Sequence, residues 1–423
     1  MWRQKSRELW LKLDDRNTKF FHLSTIIRRK RNNIDAIRDE QGAWITETES
    51  IRSLFLNSFK NIFNQEEVNF PPHLEHLVLL CITEDENSEL SRIPTPQEIK
   101  ATLFNMQDLK APRPDGYPVI FYKQLWPTVG DDIIKAVTSS FHIGSMPREV
   151  NSSLIVLILK ISNPTPVQHF RPISLCNVAY KIISKLLVAK LRPHLDKIIS
   201  PAQSAFIPNR WIVENQVIVQ EILHSFKTRK TKPGLMAIKL DLQKAYDRVS
   251  WDFIHTVLLH LGFIEVFFNW VLYCISSVTF EILVNGGKTD KFRPSRGLRQ
   301  GDPLSPYLLI LGQEILSRML DHELRQSNIK GMKTSKSGLT ITHVMYANDI
   351  VLFSKTTKKD AETISKILEK YSHWSGQLVN RSKLGIFFLQ AHSESHPKVY
   401  QKYSPYQGPQ KRHHISWSTV ILD

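Results

Sequence analysis

The stretch THVMYANDIVLFS, Thr342 to Ser354, decides how the rest of the chain is read. Two apolar arms, Val344 to Tyr346 and Ile350 to Phe353, flank a tight polar turn. Such a pattern spells a β-hairpin whose tip carries Asn348 and Asp349. Oxygen donors on a hairpin tip, set beside a carboxylate on a neighbouring strand, form a site for hard divalent cations. A pair of Mg²⁺ ions a few ångströms apart activates an attacking hydroxyl and stabilises a leaving phosphate.

The partner carboxylate is found in GLMAIKLDLQKAYDRVSW, Gly234 to Trp251, where a short apolar strand runs into Asp241 and a helix is expected to begin near Ala245. A carboxylate at the end of a buried strand is costly unless a cation or hydrogen bonds compensate it, which makes Asp241 a candidate Mg²⁺ ligand. A helix cap is the competing reading. Between the two segments lies RGLRQGDPLSPYLL, Arg296 to Leu309. There Gly297 and Gly301 permit close backbone approach, Arg299 and Gln300 supply donors, and Pro303 and Pro306 stiffen the turn ahead of a helix. Such a loop suits a nucleotide or a template base, although alone it reads first as a loop with a capped helix behind it.

Composition sets the outer bounds. With 423 residues, 42% hydrophobic and 23% charged, the chain is expected to fold into two or three subdomains rather than stay disordered. Lys and Arg outnumber Asp and Glu by 56 to 40, a formal net charge of +16, which favours a polyanionic partner, nucleic acid first. An uncommitted basic surface competes with that reading. Cys81, Cys176 and Cys274 are isolated in sequence, so local spacing assembles neither a zinc knuckle nor a disulfide framework. A reducing compartment, nucleus or cytoplasm, follows. The start, MWRQKSRELWLKLDDR, lacks the apolar core of a signal peptide. The longest uncharged stretch, Val266 to Phe280, is too short and too polar for the roughly 20 apolar residues of a membrane span.

Working along the chain, helical periodicity in TKFFHLSTIIRRKRN and ESIRSLFLNSFKNIF predicts two helices joined by a turn near Gly42, a helical extension over 1–70. The run Arg28 to Arg31 fits a phosphate-tracking or nuclear-address segment, against a solvated helix face. A polar connector with Pro71, Pro72 and Pro94 fills 71–94. Then Thr95 caps a helix, with Glu98 three residues on. Helices alternate with short β-branched runs from there to about residue 390, an α+β pattern. The tail, 391–423, is polar and expected to be disordered, and His413-His414 lacks companion ligands.

KLDLQKAYDRVSW, RGLRQGDPLSPYLL and YANDIVLF, in this order, resemble the catalytic motifs of reverse transcriptases from LINE-type (non-LTR) retrotransposons, particularly those of plants. KAPRPDGYPVIFY and HFRPISLCNVAYKIISKLLVAKLRPHL are similar to the family's fingers, SGQLVNRSKLGIFF to the segment after the catalytic hairpin, and KSRELWLKLDDRNTKFFHLSTIIRRKRNNI to the region ahead of the polymerase. The resemblance implies a right-hand polymerase with fingers over 95–235 and palm over 236–390. It implies RNA-directed DNA synthesis from deoxynucleoside triphosphates on an RNA template and DNA primer, with two Mg²⁺ ions, Mn²⁺ substituting. By resemblance Asp241 is a ligand to both metals, and Asp349 a lesser one. Tyr246 matches the aromatic gate against a ribose 2′-hydroxyl, Lys160 and Arg171 the triphosphate grip, Gln300 and Gly301 the loop under the nascent base pair, and Lys383 a lysine near the leaving pyrophosphate.

Departures matter as much. The family has an aspartate where this chain has Asn348, and an amide brings no negative charge to a metal. Because neighbouring residues along a strand face opposite sides, compensation by Asp349 is expected to require deformation of the tip. Arg113 and Asn209 stand where the family usually has glycine. A polymerase strongly impaired by Asn348 and a catalytically dead nucleic-acid-binding remnant are therefore the two readings the sequence leaves.

Overall fold

A computed structural model describes residues 19–64, 74, 77, 80–108, 110, 111, 113–228, 233–333 and 338–388. The first leucines of the extension and the tail after 390 lie outside the described residues. The chain divides into two compact units, one of Met1–Gln65, Ser88–Lys190 and Ile264–Ser305, the other of Glu66–Asn87, Leu191–Phe263 and Pro306–Asp423.

In the first unit, a four-stranded sheet runs in the order Phe170–Cys176, Ser152–Leu159, Thr279–Val284, Gly287–Lys288. The Ser152 and Thr279 strands pair in parallel, with Ile155 beside Ile282, and the other pairs are antiparallel. The helix Thr48–Phe63 lays Ile51, Phe55, Phe59 and Phe63 on this sheet, one residue per turn. Phe55 meets Phe170 edge-on at 5.2 Å between centroids, and Phe63 lies 5.2 Å from Phe280.

The two expected helices around Gly42 are present as Lys19–Asn32 and Thr48–Phe63, but a hairpin, Ile37–Arg38 against Trp44–Ile45, separates them. Asp39 makes that turn: its Oδ1 accepts from the amides of Gln41 and Ala43. The capping box at Thr95 and Glu98 forms as expected, opening the helix Pro96–Phe104. A second one, missed in the sequence, stands in the connector, where Thr83 and Glu86 cap the helix Glu84–Ser91.

The second unit is built on an antiparallel sheet, His343–Tyr346, Asp349–Lys355, Leu235–Gln243, Leu378–Val379, with Gly385–Phe388 also paired to the Leu235 strand. Bonded on both sides, the Leu235 strand is almost continuously buried, which its unbroken apolar run requires. The helix Lys358–Ser375 covers the unit with Ile364, Ile367, Tyr371 and Trp374, and Tyr371 meets Phe253 edge-on. No described helix is long and apolar enough to cross a membrane.

The helix expected near Ala245 starts later, at Trp251. The chain turns through Lys244, at φ 49°, and Ser250 supplies the cap by accepting from the Phe253 amide. Asp241 lies within the strand and caps no helix.

Candidate active site

Strand register brings the decisive side chains together. Asp241 pairs directly with Asp349, Leu240 with Ile350 and Lys239 with Val351, while Tyr346 and Asp349 close the hairpin around a two-residue turn. Directly opposed residues of an antiparallel pair leave the same face of the sheet, so Asp349 shares a face with Asp241. The expectation that Asp349 needs a deformed tip is therefore corrected. Alternation does not carry from Asn348 to Asp349, because Asn348 is a turn residue following Ala347 at φ 48°. A left-handed alanine costs about 1–2 kcal/mol, so the turn must be held by its surroundings.

Three nitrogen donors of the chain surround the Asp241 carboxylate. Asn348 Nδ2 donates to Oδ1 at 3.4 Å, while Asn380 Nδ2, at 3.1 Å, and the Lys383 ammonium, at 2.9 Å, both reach Oδ2. Asn380 also donates its backbone amide to the Asp241 carbonyl at 2.8 Å. The Asp241 side chain is 15% exposed and that of Lys383 65%, so the pair sits at the edge of solvent. Among the described residues no group of three or more His, Cys, Asp or Glu side chains could hold a metal ion. The anionic donors here are Asp241 and Asp349.

Asn380 was missed in the sequence, although it stands three residues before Lys383 in a segment singled out there. Tyr246 follows in the turn after the Asp241 strand, half-buried, its hydroxyl pushed up to about 12 by burial.

The remaining expected site residues belong to the first unit. Lys160 extends the Ser152–Leu159 strand, its amide bonded to the His169 carbonyl and its ammonium to Gln168 O at 2.8 Å. Arg171 pairs with Ile158, two residues from Lys160, so both cations leave one face of this ladder.

Gln300 O accepts from the Ser174 amide at 2.7 Å, fastening the loop to the sheet. Gly301 follows at φ 109°, where a Cβ would stand 2.9 Å from the Ser174 carbonyl, so only glycine fits. Beneath the loop, Asp302 accepts from Tyr180 Oη at 2.8 Å and Ser184 Oγ at 2.5 Å. Arg299 donates to Asn151 Oδ1 at 2.6 Å and Cys274 O at 2.8 Å, its guanidinium 3.8 Å over the Tyr180 ring. Arg299 and Asp302 are thus spent on holding the loop rather than offered to a ligand.

The reverse transcriptase (RNA-dependent DNA polymerase) family matches residues 160–413, more than half of the chain. The chain belongs to that family. The chain is 27% identical over 87% of its length to a Transposon TX1 149 kDa protein of Xenopus laevis. It is 28% identical over 62% of its length to the Pol polyprotein of the type-2 retrotransposable element R2DM of Drosophila melanogaster. It spans 28% and 23% of those relatives' own lengths. A mitochondrial protein of Arabidopsis thaliana is 43% identical over 16% of this chain and 55% of its own. A telomerase from Candida tropicalis, solved with a fragment of telomeric RNA, aligns with a TM-score of 0.42 and 14% identity over 64% of this chain and 45% of that one. The domain resembles the RNA-directed DNA polymerases of non-LTR retrotransposons.

Both positions where the chain lacks an expected glycine are accommodated. Asn209 holds φ 62°, a left-handed conformation that asparagine tolerates better than most residues. Arg113 is 7% exposed and donates to the Cys176 carbonyl at 3.3 Å, and burial pulls its pKa down.

Proposed function

We propose that this chain is the polymerase core of a plant-type LINE reverse transcriptase whose nucleotidyl transfer is strongly impaired by Asn348. The observation that carries the reading is the meeting of Asp241, Asp349, Asn348 and Lys383 at one hairpin tip. Fingers over 95–235, palm over 236–390 and an N-terminal extension are its working division, with RNA template, DNA primer and deoxynucleoside triphosphates as ligands and the nucleus or cytoplasm as its compartment.

The donor set fits one divalent cation better than two, since Mg²⁺ is commonly held by one or two carboxylates together with substrate phosphates. Asp241 and Asp349 would hold it, and Asn348 leaves a second ion without its anionic ligand. When bound, the metal lowers the pKa of the primer 3′-hydroxyl and neutralises charge on the phosphates.

The chain's own residues do the rest. Tyr246 sets its ring where a ribose 2′-hydroxyl would project, selecting deoxynucleotides. Lys160 and Arg171 grip the triphosphate, and Gln300 and Gly301 present the fastened loop to the nascent base pair. Lys383 places its charge beside the departing pyrophosphate once released from Asp241.

A non-catalytic nucleic-acid-binding remnant is the second reading. It is favoured by the chain's own N–H groups, which engage both Asp241 oxygens. Primer extension on an RNA template with Mg²⁺ or Mn²⁺ separates the two. We expect weak or absent extension by the native chain, recovery of about 10²-fold in Asn348→Asp, from several kcal/mol of metal stabilisation at about 1.36 kcal/mol per decade, and loss again with Asp241→Ala. Robust synthesis by the native chain refutes the impairment, and a folded but silent Asn348→Asp favours the remnant.

A further inference from the structure

We infer that Gln203 is a positioning residue for the catalytic hairpin, its side-chain carbonyl holding the left-handed Ala347 and thereby fixing Asn348 and Asp349 against Asp241. Gln203 is 2% exposed, and its Oε1 accepts from the Ala347 amide at 2.9 Å and from the Ala205 amide at 3.0 Å. A turn amide in a two-residue hairpin ordinarily faces water; this one is satisfied by a buried side chain distant in sequence.

The carrier of Gln203 is itself locked. The segment pairs with the hairpin, Met345 N donating to Ala202 O at 2.8 Å and Ser204 N to Met345 O at 3.2 Å. Asn215 Nδ2 donates to Met345 O and Ser204 Oγ, both at 2.8 Å. Arg210 clamps the preceding loop from behind, donating to the carbonyls of Ser200 at 2.6 Å, Gln203 at 2.9 Å and Ile199 at 2.8 Å. The Arg210 fork therefore fixes the loop, the loop fixes Gln203, and Gln203 fixes the turn. A glutamine that only filled space would need neither the two amides at its oxygen nor a guanidinium behind its backbone.

The inference rests on reading this tip as the metal-proximal one, but its primary test needs no turnover. Amide hydrogen exchange of Ala347 is measured in the full chain, by NMR with ¹⁵N-alanine, together with Mn²⁺ binding in the Asn348→Asp background. In the unmodified chain the Ala347 amide exchanges as slowly as the strand amides around it; fast exchange overturns the inference without any variant.

In Gln203→Met, which keeps volume and removes the acceptor together with the Nε2 donor to Gln313 Oε1, a donor that Gln203→Glu also lacks, Ala347 exchanges at least tenfold faster while Ile350 and Leu240 stay protected. Gln203→Glu, which keeps an acceptor oxygen, retains the protection. Combined with Asn348→Asp, Gln203→Met weakens Mn²⁺ binding severalfold and Gln203→Glu does not. Unchanged Ala347 exchange in Gln203→Met, or equal loss in Gln203→Glu, refutes the positioning role. Faster exchange with no Mn²⁺ binding in any Asn348→Asp protein upholds the positioning role and removes the metal reading instead.

Discussion

Replacing Asn348 by aspartate should weaken the metal-free protein and make it respond to metal. In the native chain the Asn348 amide donates to Asp241 Oδ1 at 3.4 Å. The substitution exchanges that donor for a like charge. Two unit charges about 4 Å apart repel by about 4 kcal/mol at an effective dielectric of ~20. The Lys383 ammonium 2.9 Å from the other oxygen offsets part of this, and solvent reaches a side chain 15% exposed, which together leave roughly 1–2 kcal/mol. A cation bound only by the folded variant returns about 2.7 kcal/mol at a hundred times its dissociation constant. Urea unfolding of both proteins, in chelator and in saturating Mn²⁺, reads the difference. The variant is expected to have the lower midpoint in chelator and to match or exceed the native chain in Mn²⁺, while the native chain shifts little. Equal midpoints in chelator would mean the two side chains do not share a field. An equal Mn²⁺ response would mean the amide serves the metal as well as a carboxylate. Either result defeats the argument.

Gly301→Ala should cost about 2 kcal/mol or more, because its Cβ meets the Ser174 carbonyl at 2.9 Å and φ is 109°; thermal unfolding checks the loss, and an unchanged midpoint would show the loop is free to move. Asp302→Ala should destabilise by about 3–5 kcal/mol, leaving the buried Arg299 without its anion 3.7 Å away and Tyr180 Oη without an acceptor; soluble, native-like protein at unchanged stability counts against it. His343, bonded to Ser317 Oγ at 2.7 Å, has its pKa lowered by burial from 6.5 to about 4. The unfolded chain therefore binds the extra proton between those values, so stability is full above about pH 6.5 and falls towards pH 4 by up to roughly 3 kcal/mol. His343→Gln should flatten that part of the urea-midpoint profile, and an identical pH slope in the variant would refute the assignment. Affinity for an RNA–DNA duplex should fall steeply with salt, given a net charge of +16, and a titration insensitive to salt would point to another partner.

Much of the site was written in local pattern. The alternation around Ala347-Asn348 gave the hairpin, the apolar run into Asp241 its neighbouring strand, and Thr95 with Glu98 a helix start, because each depends on residues within a few positions of one another. The asparagine at 348 was legible as a loss of charge without any coordinates. Tertiary structure alone decided what pairing across the chain decides. Register set Asp349 directly opposite Asp241, correcting an inference drawn from alternation along a single strand. Asp39, whose side chain bonds nearby amides, fastens the turn expected at Gly42, while Ser250 moved a helix start that periodicity placed only roughly. Arg299 looked like a ligand-facing donor in a loop but proved, together with Asp302, to be its buried fastening, since burial is a property of the assembled core. Gln203 and Asn215 carried no signal in the sequence, because a side chain that satisfies a backbone group more than a hundred residues away is specified by the fold and not by its neighbours; Arg210 clamps a nearby loop whose path only the fold sets.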